Sequence, residues 1–336
     1  MRKRNIILFF LSFLLAIGLM GCSSSGKQGT LAPALTPPPF QPGPVLYAVS
    51  MISATDGWAV GGTFAVTGTS KQALQVQAST GSILHYDGHA WTDIPVQAPL
   101  FGVSLSSAHD GWAVGYNGLM LHYDGHSWSS GISPTSATLR NVFMLSNSNG
   151  WSVGNGGVIL HYTDGKWTSF ASPTSVNLYG IAMISADDGW VVGDSGTILH
   201  FNGKSWDAFA SPTNNKLNSI AMVSASEGWA VGDQGTILHY LGGTWSVVHS
   251  PYAAGLSSVM FLSKNEGWAT GGYSVLHYTQ GSWLLNSNDD DGGADLYSIA
   301  FVSASDGWAV GELDMIRHYQ KNKWSTFSVS PKFHQN

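Results

Sequence analysis

The chain is short of cysteine, of charge and of any helical rhythm, and each shortage excludes something. A single cysteine among 336 residues, Cys22, rules out a disulfide framework and any cysteine-based metal site. Asp, Glu, Lys and Arg together make up only 10% of the chain, against roughly a quarter in an ordinary domain. The net charge of −6 argues against nucleic-acid binding, which needs clustered cations. Beyond the first four residues the only arginines are Arg140 and Arg317. No segment repeats its apolar residues every 3.6 positions over a helical length. Disorder is excluded as well, because 43% of residues are hydrophobic and tryptophan occurs 14 times.

The amino terminus reads as an export signal. Arg2, Lys3 and Arg4 precede the apolar run 6–19, whose 14 residues are too few for the ~20 of a bilayer-spanning helix. Leu19-Met20-Gly21-Cys22 follows and resembles the lipobox of bacterial lipoproteins. That resemblance implies cleavage after residue 21, lipidation of Cys22, and an extracytoplasmic protein held to the cell membrane or outer membrane. Loss of the three leader cations would take the net charge from −6 to −9. Residues 22–44 are rich in Ser, Gly and Pro and suit an extended stalk, up to roughly 70 Å long at ~3.3 Å per residue.

The body of the chain is a repeat. Gly-Trp recurs at Trp58, Trp112, Trp151, Trp190, Trp229, Trp268 and Trp308, spaced 39 or 40 residues apart after a first interval of 54. Each is followed by a second tryptophan: Trp91, Trp128, Trp167, Trp206, Trp245, Trp283 and Trp324. Between them lies a His-Tyr or His-Phe pair, starting at His85, His122, His161, His200, His239, His277 and His318. Within a repeat, four short apolar runs are separated by Gly, Ser and Asp turns, which reads as four strands. The Ser-x-x-[Asp/Glu] before each Gly-Trp has the pattern of a helix capping box, but a strand follows it, so it reads as a tight turn. Units of about 40 residues with four strands are the size of propeller blades. The expectation is all-β: a seven-bladed β-propeller over residues 45–330, with a tail at 331–336. The first strand of each repeat lies innermost, so the ring should close without a blade shared between the two chain ends.

The run Gly228-Trp229-Ala230-Val231-Gly232-Asp233-Gln234-Gly235-Thr236-Ile237-Leu238-His239 resembles the propellers of the photosystem II assembly and stability factor family. Those in turn resemble bacterial neuraminidase (Asp-box) repeats. Asp87-Gly88, Asp124-Gly125 and Asp164-Gly165 keep the Asp-box pattern before the second tryptophan; the later repeats depart from it. The resemblance implies a non-catalytic scaffold or assembly factor with a protein partner at the cell envelope, and the chain reads as a monomer. The blades alone imply no photosynthetic role. The alternative is a carbohydrate-binding or glycoside-processing, sialidase-like propeller. A sialidase binds its substrate carboxylate with three arginines, which two cannot supply.

One histidine per blade places these residues around a ring where they cannot converge, so they read as structural, bonded to a turn. Glu227 and Glu266 belong to the repeated turn. No Gly-x-Ser-x-Gly elbow or phosphate loop is present, and no enzyme and no cofactor are expected. The candidate partner-binding residues are those that break the repeat. Seventeen extra residues lie within Gly62–Gly81, either a binding element or an inert flap. Glu312 and Asp314, with Asp194 and Asp233 further round, should share its face, because loops joining strands two and three lie with the blade-to-blade links. Tyr116, Tyr252 and Tyr273 are the aromatic residues there that could support a sugar. Asp289, Asp290, Asp291 and Asp295 form an acidic run suited either to solvent or to calcium.

The lipobox is tested by Cys22→Ser, which should move the protein from the membrane fraction to the soluble fraction. Unchanged membrane retention would remove the anchor.

Overall fold

A computed structural model describes residues 44–67, 75–286 and 293–327. The leader, Cys22, nearly all of the stalk, Asp289–Asp291 and the tail lie outside them. The described residues form seven four-stranded antiparallel sheets, each built from one contiguous stretch of chain. Blade 1 comprises β1 (Val45–Ser53), β2 (Asp56–Thr67), β3 (Gln75–Tyr86) and β4 (Trp91–Val96). Blade 7 closes the ring with its last strand at Lys323–Thr326. The seven-bladed propeller read from the tryptophans is therefore the fold.

Every blade has a fully buried leucine at or just before the start of its first strand: Leu46, Leu100, Leu139, Leu178, Leu217, Leu256 and Leu296. The second strand carries Gly-Trp, and the sequence pattern explains both residues. A Cβ on Gly228 would displace the end of the Met222 side chain on the neighbouring strand and crowd the Ala221 carbonyl, so glycine lets the methionine pack there. The Trp229 indole lies flat on the His239 ring, with centroids 3.9 Å apart and planes 10° apart. His239 Nε2 in turn meets Glu227 Oε1 at 3.3 Å. The same triplet recurs in blades 6 and 7, where His277 meets Glu266 at 2.7 Å and His318 meets Asp306 at 2.9 Å. The histidines are thus bonded to the turn between strands one and two, and the acid of the Ser-x-x-[Asp/Glu] pattern serves an imidazole instead of a helix end.

Across each seam the Gly-Trp indole meets the second tryptophan of the following blade edge-on. Trp58 and Trp128 are 5.3 Å apart at 79°, and Trp229 and Trp283 are 5.6 Å apart at 83°. The seam between blades 7 and 1 is made the same way: Trp308 meets Trp91 at 5.4 Å and 83°. Tyr86 packs on Trp308 at 4.6 Å, and Val49 N–H donates to Ser298 Oγ at 3.2 Å. The ring therefore closes through side chains, without a shared sheet. Such edge-to-face pairs add about 0.5–1.5 kcal/mol each beyond the apolar area they bury.

In the stretch Gly62–Gly81 the described residues continue the two strands. β2 and β3 remain paired beyond the blade, from Thr63↔Thr80 to Thr67↔Gln75, with a register shift at Thr63/Phe64. Residues 68–74 lie outside the described chain. Phe64 stacks at 6.2 Å on Phe101 of blade 2 and meets Tyr116 edge-on at 6.0 Å, which pins the base of this ribbon over the neighbouring blade.

Two predictions follow from the seams and turns. Trp229→Ala should cost roughly 3–5 kcal/mol in chemical denaturation, as expected for a fully buried indole whose cavity cannot refill; a loss below ~1 kcal/mol would place that indole outside the core. In blade 3 an asparagine, Asn149, replaces the turn acid beside His161, and burial holds this imidazole below the usual histidine value of 6.5. The unfolded chain then takes up the proton first, so the contribution of His161 is intact above pH ~6.5 and is lost as pH falls. Asn149→Asp should raise the His161 pKa and reduce the acid-side loss of stability, read from denaturation midpoints at pH 5 and pH 8.

Candidate functional site

The turns between strands two and three lie on the same face as the links between blades, because the two are bonded together. Tyr116 N–H donates to the Pro99 carbonyl at 2.9 Å, Asp194 to Asn177 at 2.9 Å, Asp233 to Lys216 at 2.9 Å, and Glu312 to Asp295 at 2.8 Å. In blade 5 the turn Asp233-Gln234-Gly235 puts Gln234 at φ +58° and Gly235 at φ +69°. The glycine is required twice over, since a Cβ would also run into the Tyr252 carbonyl of the next link. In blade 7 the corresponding residue is Asp314, at φ +57°. Its N–H donates at 3.1 Å to the carbonyl of Pro44, where the chain joins the ring.

On this face the ring axis opens into a cavity of about 480 Å³. Its walls come from the residue that follows each buried leucine: Tyr47, Phe101, Arg140, Tyr179, Asn218, Ser257 and Tyr297. The leucine before it is the same in every blade, whereas this position changes chemical class. Four of these residues also have a hydrogen-bond partner 15 residues later, in the turn of their own blade. Arg140 Nε donates to Asn155 Oδ1 at 2.8 Å and Tyr179 Oη to Asp194 Oδ2 at 3.2 Å. Asn218 Nδ2 donates to Asp233 Oδ1 at 3.1 Å, and Tyr297 Oη to Glu312 Oε1 at 2.9 Å. In blade 2 the same two positions hold Phe101 and Tyr116, linked through Phe64.

The aromatic residues gather on one side. Tyr47 lies 5.0 Å from Phe101 and 5.6 Å from Tyr297. Two cations lie against the rings: the Arg140 guanidinium is 4.7 Å from the Phe101 centroid and 5.9 Å from Tyr179, and Lys216 Nζ is 4.4 Å from Tyr179. Neither cation forms an ion pair among the described residues. The carboxylates of Asp194, Asp233 and Glu312 are taken by neutral donors instead. Burial, and then the Glu312 charge, raises the Asp295 carboxyl above its usual range. Burial and the bond to Glu312 raise the Tyr297 phenol. The mouth thus offers aromatic faces, two cations held in place without counter-ions, and a rim of hydrogen-bonded acids. This arrangement suits recognition of a polar or anionic chain segment.

The structure brings together some of the residues expected from the sequence and separates others. Asp194, Asp233 and Glu312 stand at the mouth as partners of wall residues. Tyr116 stands behind Phe101. Tyr252 and Tyr273 meet edge-on at 6.3 Å on the link and turn of blades 5 and 6, away from the cavity wall. Among the described residues no three potential ligands converge on a metal position. Of the acidic run only Asp295 is described, and its carbonyl accepts the Glu312 N–H. The wall residues Tyr47, Phe101, Arg140, Tyr179 and Tyr297, together with Lys216, escaped the sequence reading. Their signal was present in the positions beside each buried leucine, whose chemistry changes from blade to blade.

Comparison with known proteins agrees with the fold. The family model described as photosynthesis system II assembly factor YCF48 matches residues 165–252, which run from the end of blade 3 through blade 5. A search of curated protein sequences finds no match. Among solved structures, YCF48 bound to D1 peptide superposes with a TM-score of 0.65 at 19% identity, covering 83% of this chain and 92% of that one. YCF48 from Cyanidioschyzon merolae gives 0.65 at 17% identity, covering 85% and 98%. Virginiamycin B lyase from Staphylococcus aureus, a propeller that is an enzyme, gives 0.62 at 16% identity, covering 70% and 85%. The chain is a seven-bladed propeller with the fold of the YCF48 structures, and its blades 4 and 5 match the YCF48 family model.

Proposed function

We propose that this chain is a lipid-anchored, extracytoplasmic and non-catalytic scaffold that binds a segment of a partner protein at the axial mouth. The observation that carries the proposal is the variable wall, where Arg140 and Lys216 stand on aromatic rings with no ion pair among the described residues. Holding two cations in this way costs solvation that a bound anionic group would repay. The D1 peptide in the similar YCF48 structure supports a polypeptide ligand, although it belongs to that protein. The lipobox supports the anchor and the extracytoplasmic side.

A carbohydrate ligand is the second reading, because Tyr47, Tyr179 and Tyr297 put three tyrosines at the mouth. Their rings are already engaged: Lys216 covers Tyr179, Tyr47 sits between Phe101 and Tyr297, and two of the three hydroxyls bond to Asp194 and Glu312. Sialidase chemistry is disfavoured further because Arg317 is buried in blade 7, which leaves Arg140 as the one arginine at the mouth.

Capture of partners from solubilised membranes by the lipidated protein tests this reading. Arg140→Ala combined with Lys216→Ala should reduce recovery of the partner at least tenfold without moving the thermal midpoint. Lys323→Ala, on the exposed outer strand of blade 7, should leave recovery unchanged. Full recovery by the double variant, or recovery of glycan in place of protein, would defeat it.

A further inference from the structure

The axial cavity has a second set of non-repeating residues, one position further along each first strand. Two residues after the buried leucines of blades 5, 6 and 7 stand Ser219, Ser258 and Ser298, all half-buried and all lining the cavity. The same position holds alanine, glycine or asparagine in the other four blades. The hydroxyls therefore form one arc on three consecutive blades, and Lys216 lines the cavity beside its first member.

Each of these oxygens already accepts a bond across a seam. Val259 N–H donates to Ser219 Oγ at 3.2 Å, Ile299 N–H to Ser258 Oγ at 3.4 Å, and Val49 N–H to Ser298 Oγ at 3.2 Å. A serine hydroxyl also has one proton to give, and an N–H held on its oxygen leaves that proton to turn elsewhere. None of the three donates to an acceptor among the described residues, so the cavity is where the protons can be used.

The acceptors of the same cavity are covered. Asn141 Nδ2 donates to the Tyr179 carbonyl at 3.3 Å, and Asn218 Nδ2 donates both to the Leu256 carbonyl at 2.9 Å and to Asp233 Oδ1 at 3.1 Å. Amides cap carbonyls and the one lining carboxylate, while hydroxyls and two cations face the space. Oriented donors beside a fixed positive charge are what an oxyanion requires.

We infer that the arc Ser219, Ser258 and Ser298, with Lys216 at its end, is a subsite for a carboxylate, supplied by an acidic side chain of the bound segment. This rests on the reading that the mouth binds a polypeptide, and it adds which group of that segment enters and which residues select it. The three hydroxyls hold the carboxylate oxygens, Lys216 offsets their charge, and the neutral amide of an asparagine or glutamine is rejected because its NH₂ meets donors.

The test measures binding of N-acetylglutamate N-methylamide, a single carboxylate on a short peptide unit, to the full lipidated chain in detergent at constant ionic strength. Ligand-observed NMR should show saturable binding that is at least tenfold weaker for the glutamine counterpart. Ser258→Ala, in the middle of the arc, should weaken binding about tenfold, the usual loss for one hydrogen bond to a charged group. Ser104→Ala is the control. It removes the same kind of bond across a seam, from Met144 N–H at 3.0 Å, at a residue that does not line the cavity, and it should bind as the unaltered chain does. Equal binding by Ser258→Ala, or tighter binding of inorganic phosphate than of the carboxylate, would overturn the subsite and leave the mouth reading standing. The glutamate derivative should also release partner captured from solubilised membranes. Partner that stays while the derivative binds would overturn the partner's side chain as the occupant and assign the arc to a free carboxylic acid. A chain that binds the derivative but captures no partner would overturn the scaffold reading instead.

Discussion

The edge-on contact between two indoles at each seam is the interaction on which the rest of the structure depends. A four-stranded blade cannot bury both of its faces alone, and a ring of such blades persists only if every seam is filled equally well. The chain meets this with one solution used seven times. An indole from the second strand lies flat on a histidine of its own blade and presents its face to the indole edge of the next. The histidine is held in turn by the acid or amide of the adjoining turn, so a tight turn, a strand and a seam are coupled through three side chains. Where the acid becomes Asn149, His161 still stacks on Trp151, at 4.0 Å. The stacking outlasts the charge that accompanies it elsewhere.

Each blade places a buried leucine at or just before the start of its first strand, and the residue after it lines the axial cavity. In four blades that residue is held by a partner 15 positions on: Arg140 by Asn155, Tyr179 by Asp194, Asn218 by Asp233 and Tyr297 by Glu312. A uniform scaffold thus carries a non-uniform rim, and in these blades the rim residue is oriented by its own blade.

This division explains what could be read from the sequence and what could not. The fold was legible because Trp58 to Trp308, the His-Tyr pairs and the turn acids all recur at one spacing. A search for recurrence finds only what recurs, so it passed over the wall residues Tyr47, Arg140, Tyr179 and Tyr297, and Lys216 beside them. Glu312 was named because its turn breaks the repeat, and Asp194 and Asp233 because their turns share its face. Tyr252 and Tyr273 were named as aromatic residues outside the repeated tryptophans, and they belong to a contact beside the mouth. The ribbon was harder to read. Its Gly, Ser and Thr suit a flap as well as a strand, and only the continued register of β2 with β3 separates the two.

The seam between blades 7 and 1 has a mechanical consequence. Six seams are bridged by the covalent chain, and the seventh is held by contacts alone, among them Trp308 on Trp91, Tyr86 on Trp308, Tyr47 on Tyr297 and the bonds from Val49 to Ser298 and from Asp314 to Pro44. The molecule is in this sense a split washer. A force applied between its two ends loads that single join in full while the other six stay slack, so the gap opens there first, next to Pro44 and the rim that Asp314 helps to build.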